Sequence, residues 1–283
     1  TRLISGVAFS LGLILVIVAG AELFTGNVLL IVAWASHRIS TVAVLRNWAI
    51  VYAGNLVGAL GIVALAFLAG WYRNGGGSVG LLALTTAQGK VSHSFVEAFA
   101  GGILCNALVC LAVWLTYSAR TTTDRILAIV PPIAAFVAAG FEHSIANMFF
   151  LPIAIVVREF APAEFWAATG SSPEGFASLH LGSLVENLVP VTLGNIVGGA
   201  LFVAAVYHFV YLRRRPDGSP APSPFHRTGG GPKTGDTWRF ALCRYDYSKD
   251  FEAPDLTSCA PLTAQSYHRY EDYCRLKFVG PAR

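Results

Sequence analysis

Two apolar runs, each longer than a bilayer crossing needs, are interrupted at their centres by an acid, a glycine and small polar residues. The first interruption is Ala21-Glu22-Leu23-Phe24-Thr25-Gly26-Asn27, and the second is Gly140-Phe141-Glu142-His143-Ser144-Ile145-Ala146-Asn147. Hydrocarbon supplies no water to satisfy such groups, so each one left unpaired there costs several kcal/mol. Two interruptions at matching places in two halves of a chain point to a transport site built from broken helices. Ordinary kinks are the competing reading, but an ionisable residue at membrane depth is by default a functional candidate.

The rest of the composition agrees with a membrane protein. Only 13% of the 283 residues are charged and 54% are hydrophobic, against about 25% charged in a soluble domain. The net charge of +4 does not mark a nucleic-acid binder, because the basic residues lie at helix ends and in the tail rather than on one face. Of the five cysteines, Cys105 and Cys110 lie inside an apolar segment, and Cys243, Cys259 and Cys274 form no close CxxC pair. Neither a zinc site nor a disulfide framework is supported. No metal triad, nucleophile elbow or phosphate loop is visible, so the expectation is a non-enzyme without a cofactor or metal. No cleavable signal is visible either.

Five membrane segments are expected: Leu3–Ala35, Val42–Trp71, Ser94–Tyr117, Ile126–Val157 and Leu188–Leu212. Each exceeds the roughly 20 apolar residues that span a bilayer. An internal repeat extends past the interruptions. Gly54-Asn55-Leu56-Val57-Gly58 matches Gly194-Asn195-Ile196-Val197-Gly198, and Asn47 precedes the first as Asn187 precedes the second. A broken crossing followed by a GNxxG helix therefore occurs twice, with one crossing between the copies. If that crossing opens the second repeat, a helix before Thr1 is expected to open the first. The whole is then three plus three crossings, and an odd number per repeat makes the copies antiparallel.

Arginines set the orientation. Arg38, Arg46, Arg120, Arg125 and Arg213–Arg215 fall on one side, so the C-terminus is placed in the cytoplasm. Residues 1–213 read as the channel domain, 214–235 as a Pro/Gly-rich linker, and 236–283 as a cytoplasmic tail of undefined character.

On this orientation the second halves of both broken crossings point their N-termini at the membrane centre from opposite sides. They are expected to start near Thr25, a good N-cap residue, and near Ser144. Free backbone N–H groups and positive dipole ends meeting there favour an anion. His143 is the sharpest residue: neutral, it donates one hydrogen bond, and protonated it donates two and adds a charge. It either holds a small carboxylate and lends it a proton, or is satisfied by neighbouring helices. Glu22 and Glu142 are expected to support the breaks by accepting backbone hydrogen bonds, with Asn147 beside the second. Asn106 either holds His143 or Thr25, or fastens helices together.

These stretches together resemble the formate/nitrite transporter family, and within it the formate channels. The resemblance covers about residues 1–213. It is carried by Phe9 through Leu15, Glu22 through Thr25, Asn47 through Leu60, Lys90 through Glu97, Gly102 through Asn106, Gly140 through Phe149 and Asn187 through Asn195. It implies an all-α, aquaporin-like protomer with an inverted three-plus-three helix repeat and a pore in each subunit, assembled as a homopentamer in a bacterial inner membrane. It implies a central histidine at His143, a partner threonine at Thr25, an asparagine at Asn106 and a vestibule lysine at Lys90. One constriction is implied at Phe9 and Phe136 with Leu13 nearby, the other at Leu23 and Val109. The substrates implied are small monovalent anions: formate, nitrite, hydrosulfide, acetate or lactate, with a proton shared at the histidine. By this resemblance the family's first helix is expected before Thr1, and the tail after Arg215 has no recognised counterpart in the family. A nitrite or hydrosulfide channel and a water or neutral-solute facilitator stand as alternatives to the formate channel.

Overall fold

The computed structural model describes residues 2–212, with side chains through residue 210. The proposed linker at 214–235 and the tail at 236–283 lie outside the described residues. All the regular structure among the described residues is helical. Five helical stretches are long and apolar enough to cross a membrane, or up to six if a bent pair is counted as one span.

The first broken crossing is α1 (Arg2–Ala19), α2 (Phe24–Asn27) and α3 (Leu30–Ala35), and the long helix α4 (Thr41–Leu68) follows it. A second half has the same plan. Here α7 (Thr122–Ala139) and α8 (Ser144–Phe160) form the broken crossing, and α10 (Leu181–Val197) follows, continuing as π-helical turns over Gly198–Ala205 and His208–Leu212. The helix α6 (Phe95–Thr116) stands between the halves and packs on both α7 and α10. Local signals start several of these helices. Ser94 and Glu97 form a reciprocal capping box on α6, Thr121 and Asp124 do so on α7, and Ser40 caps α4.

Two shorter helices, which the apolar runs do not announce, complete the fold. They are α5 (Ser78–Val91) and α9 (Ala163–Thr169). Their apolar faces join Tyr72, Leu84, Leu151, Phe165, Trp166 and Phe176 in one cluster against α8. That cluster fixes α5, and α5 delivers Lys90 to the second break.

Small residues let α6 and α10 touch backbone to backbone. A Cβ on Gly194 would overlap the carbonyl oxygen of Phe99, one on Gly198 would overlap that of Ile103, and one on Gly102 would lie 2.7 Å from that of Val191.

Candidate functional site

Both breaks are built from the same parts. Each opens on a glycine in the left-handed region, Gly20 (φ 80°) or Gly140 (φ 77°), where a side chain would be strained. Two residues later comes the acid. Next comes a single extended residue, Leu23 (φ −131°, ψ 119°) or His143 (φ −120°, ψ 114°), and then the helix resumes.

The polar backbone exposed by each break is satisfied by one asparagine from the following GNxxG helix. Asn55 accepts from the N–H of Phe24 (3.0 Å) and donates to the carbonyl of Glu22 (3.0 Å). Asn195 accepts from the N–H of Ser144 (2.9 Å) and donates to the carbonyl of Glu142 (3.0 Å), and also to that of Gly102 (2.8 Å). The acids are held alike. Asn27 donates to Glu22 (2.8 Å) and to Asn47 (2.9 Å), while Asn147 donates to Glu142 (2.7 Å) and to Asn187 (2.7 Å).

Three expectations change here. Thr25 is not the cap of the first resumed helix: α2 starts at Phe24, its N-cap position is Leu23, and no side chain of its own caps it. The cap arrives from Asn55 instead. The expected free N–H groups at the breaks are partly spoken for, since Phe24 and Ser144 bind asparagine oxygens and Ala146 donates to Nδ1 of His143 (3.1 Å). Among the described residues Glu142 accepts from the side chains of Asn147 and Lys90 and not from the backbone, because asparagine already serves the broken backbone; Glu22 accepts from the side-chain amide of Asn27.

Thr25 and His143 do come together, from residues 118 apart in the chain. Oγ1 of Thr25 lies 3.1 Å from Nε2 of His143, and both residues are buried. Because Nδ1 accepts from the Ala146 N–H, the proton of the neutral ring sits on Nε2. That N–H faces Thr25. Asn106 is placed beside the pair, and its hydrogen bonds among the described residues go to groups other than the imidazole. Its Nδ2 donates to the carbonyls of Thr25 (3.2 Å) and Asn195 (2.6 Å), so it acts as a fastener between helices. Gly199 leaves room for it: a Cβ there would lie 2.7 Å from this nitrogen.

His143 forms part of the wall of a cavity of about 210 Å³. Phe9, Leu13, Leu23, Val109 and Phe136 line the same cavity, so the residues of both expected constrictions open onto one chamber. Phe136 stacks on the imidazole (centroids 5.8 Å apart, 19° between planes), and Phe9 meets Phe136 edge-on at 5.7 Å. The lining is apolar except for the histidine.

Lys90 lies elsewhere, on a second cavity of about 400 Å³ with His93 and Asn187. Its ammonium group donates to Oε1 of the buried Glu142 at 2.9 Å. Asn187 donates to the carbonyl of Lys90 (3.0 Å), closing a ring of hydrogen bonds through Asn147 and Glu142. Lys90 therefore secures the break behind His143, and its charge is matched there.

The family model for formate/nitrite transporters matches residues 1–209. The chain belongs to that family. It is 53% identical over 213 residues to the formate channel FocA of Escherichia coli K12, covering 75% of each chain. It is 46% identical over 211 residues to FocA of Haemophilus influenzae, covering 74% of each. Among solved structures it resembles a pentameric formate channel with formate bound (TM-score 0.70, 46% identity, 75% of this chain and 84% of that one). It also resembles an FNT family ion channel (TM-score 0.60, 31% identity, 74% and 76%). In this transporter family member, the family resemblance implied Thr25 as the partner of His143, while Asn55 and Asn195 were given no role. The signal was present in the repeated GNxxG and in its fixed spacing from Asn47 in one half and Asn187 in the other.

Proposed function

We propose that residues 1–213 form a transmembrane channel that conducts formate and similar small monovalent anions, with proton sharing at His143. The observation that carries this reading is the Nε2–H of His143, paired with Thr25 at the wall of an otherwise apolar chamber. An anion entering that chamber loses water to no equivalent partner, which strongly disfavours the charged form. The imidazole is the group placed to compensate, by donating a hydrogen bond from Nε2 to a carboxylate oxygen. When the imidazole is doubly protonated it adds charge, at the cost of the Ala146 cap, about 1 kcal/mol. When the doubly protonated ring passes its Nε2 proton to formate, the products are a neutral acid, which crosses the phenylalanines far more easily than its anion, and a neutral imidazole that keeps its proton on Nδ1. Asn106 keeps Thr25 in register, and Lys90 keeps Glu142 and its neighbour His143 in place. Nitrite, hydrosulfide, acetate and lactate compete for the same chamber.

In this reading the paired breaks are the two halves of an aquaporin-like inverted repeat, and the active form is a homopentamer in a bacterial inner membrane with its C-terminus in the cytoplasm. The matching left-handed glycine, acid, extended residue and asparagine in the two halves support it, as does the likeness to a pentameric channel.

The test is uptake of radiolabelled formate into liposomes holding the full chain, measured against external pH. Saturable uptake that rises as pH falls is expected, and in His143→Phe that rise should vanish while the protein still elutes as a folded assembly. A pH-dependent rise that survives the substitution removes the proton role. Nitrite or hydrosulfide flux without formate flux moves the substrate, and osmotic water flow without anion flux favours a neutral-solute facilitator.

A further inference from the structure

We propose that Asn55 and Asn195 are positioning residues, each aiming one side chain into the transport chamber: Leu23 for Asn55 and His143 for Asn195. Each carboxamide binds the carbonyl of the residue before and the N–H of the residue after its target, and so leaves that single residue as the apex of the break. Both targets have nearly the same extended backbone, and both line the same chamber. A side-chain amide carries a donor and an acceptor at a fixed separation, and it mimics one peptide unit of a neighbouring strand. No aliphatic or singly functional side chain supplies both groups, and a buried backbone group left unpaired is costly enough to move the break.

The two clamps differ in what else they hold. Among the described residues, the Asn55 side chain makes only the two clamp bonds. Asn195 also donates to Gly102, and its own carbonyl receives Asn106, which in turn holds the carbonyl of Thr25. Asn195 thus sets the spacing of both members of the His143–Thr25 pair, whereas Asn55 sets only the apolar apex. The roles separate: Asn55 governs what fits past Leu23, and Asn195 governs the protonation-dependent behaviour of His143. This assignment of effects rests on the transport reading above; the clamps themselves rest on geometry.

The experiment uses the full chain, with Cys243, Cys259 and Cys274 changed to serine so that a cysteine introduced at position 23 is the reactive one; Cys105 and Cys110 are buried. Leu23→Cys is labelled with a small thiol reagent in liposomes, with and without Asn55→Ser. The expected result is a change in labelling rate of about tenfold, since a shift of about 1 Å is enough to misplace a side chain held this way. An unchanged rate overturns the clamp at Leu23 whatever the channel carries. In parallel, lactate and formate fluxes are measured against pH. Asn55→Ser should raise the lactate-to-formate ratio and leave the pH profile in place, and combining it with Leu23→Ala should add little beyond Leu23→Ala alone. Asn195→Asp keeps the acceptor for Ser144 but loses the donor to Glu142, and it should shift the pH profile with the ratio unmoved. Variants that only lower the amount of folded protein, with wild-type labelling, ratio and pH profile per folded channel, overturn the proposal. A wild type that carries no formate counts against the transport reading, and the labelling result still decides the clamp.

Discussion

The two broken crossings hold their backbones in the same way and present opposite chemistry. Gly20, Glu22, Asn27, Asn47 and Asn55 do for Leu23 what Gly140, Glu142, Asn147, Asn187 and Asn195 do for His143. The scaffold of a break is thus separable from the residue it displays, and one position in each half assigns the chemistry. The surroundings differ as well. Gly194 and Gly198 are pressed against α6, while a Cβ on Gly54 or Gly58 meets nothing within 4 Å. Glu142 is buried and paired with Lys90, whereas Glu22 is partly exposed. The second half therefore carries the tighter, more deeply buried version of a shared plan.

The largest difference is expected between Gly194→Val and Gly54→Val. At Gly194 the new side chain meets the backbone of Phe99 and Gly102, which cannot swing aside as a flexible side chain can. The cost is expected to be about 3 kcal/mol or more, enough to abolish the folded peak in size-exclusion chromatography. At Gly54 the same change meets open space and should leave the peak intact. Equal damage at the two sites would mean that Gly54 is covered by another surface in the assembled protein.

A smaller but still large effect is expected from Lys90→Met. It leaves a buried carboxylate facing Asn147 without its cation, and His93 at 3.9 Å is a distant substitute. Because the Lys90 side chain is 15% exposed, the loss is expected to be about 2–3 kcal/mol, below the cost of breaking a fully buried pair. Adding Glu142→Gln should recover most of that loss, since the amide brings no charge to bury. Thermal unfolding in detergent reads both. A double variant no more stable than Lys90→Met alone would show that the pair does not hold this break.

Much of this plan was legible in the residues. Long apolar runs announce crossings because hydrocarbon accepts them, and polar groups inside them announce breaks because hydrocarbon penalises each one left unpaired. His143 and Thr25 stood out for the same reason. Asn55 and Asn195 did not, since the groups they serve lie 31 and 51 residues away, and an asparagine in an apolar helix looks the same whether it clamps a break or fastens two helices. The partner of Lys90 went unread because nothing local reveals that α5 folds back to meet Glu142, 52 residues on. The helix α5 itself escaped notice because it is short and its apolar positions are matched by the distant Phe165 and Phe176. What went unread was in each case a contact between segments remote in sequence.

The smallest effect is expected at Glu22→Gln. Glutamine keeps an oxygen to accept from Asn27, so the hydrogen bond that holds the first acid survives in neutral form. The site is partly exposed, which lowers the cost of removing its charge. A stability change of no more than about 1 kcal/mol is expected, readable as a small shift in Tm, with formate uptake close to that of the parent. Glu142→Gln alone should cost more, because it strands the ammonium group of Lys90 against a neutral amide. If Glu22→Gln proved the more damaging of the two, charge and not hydrogen bonding would hold the first break, and the likeness between the halves would end at the backbone.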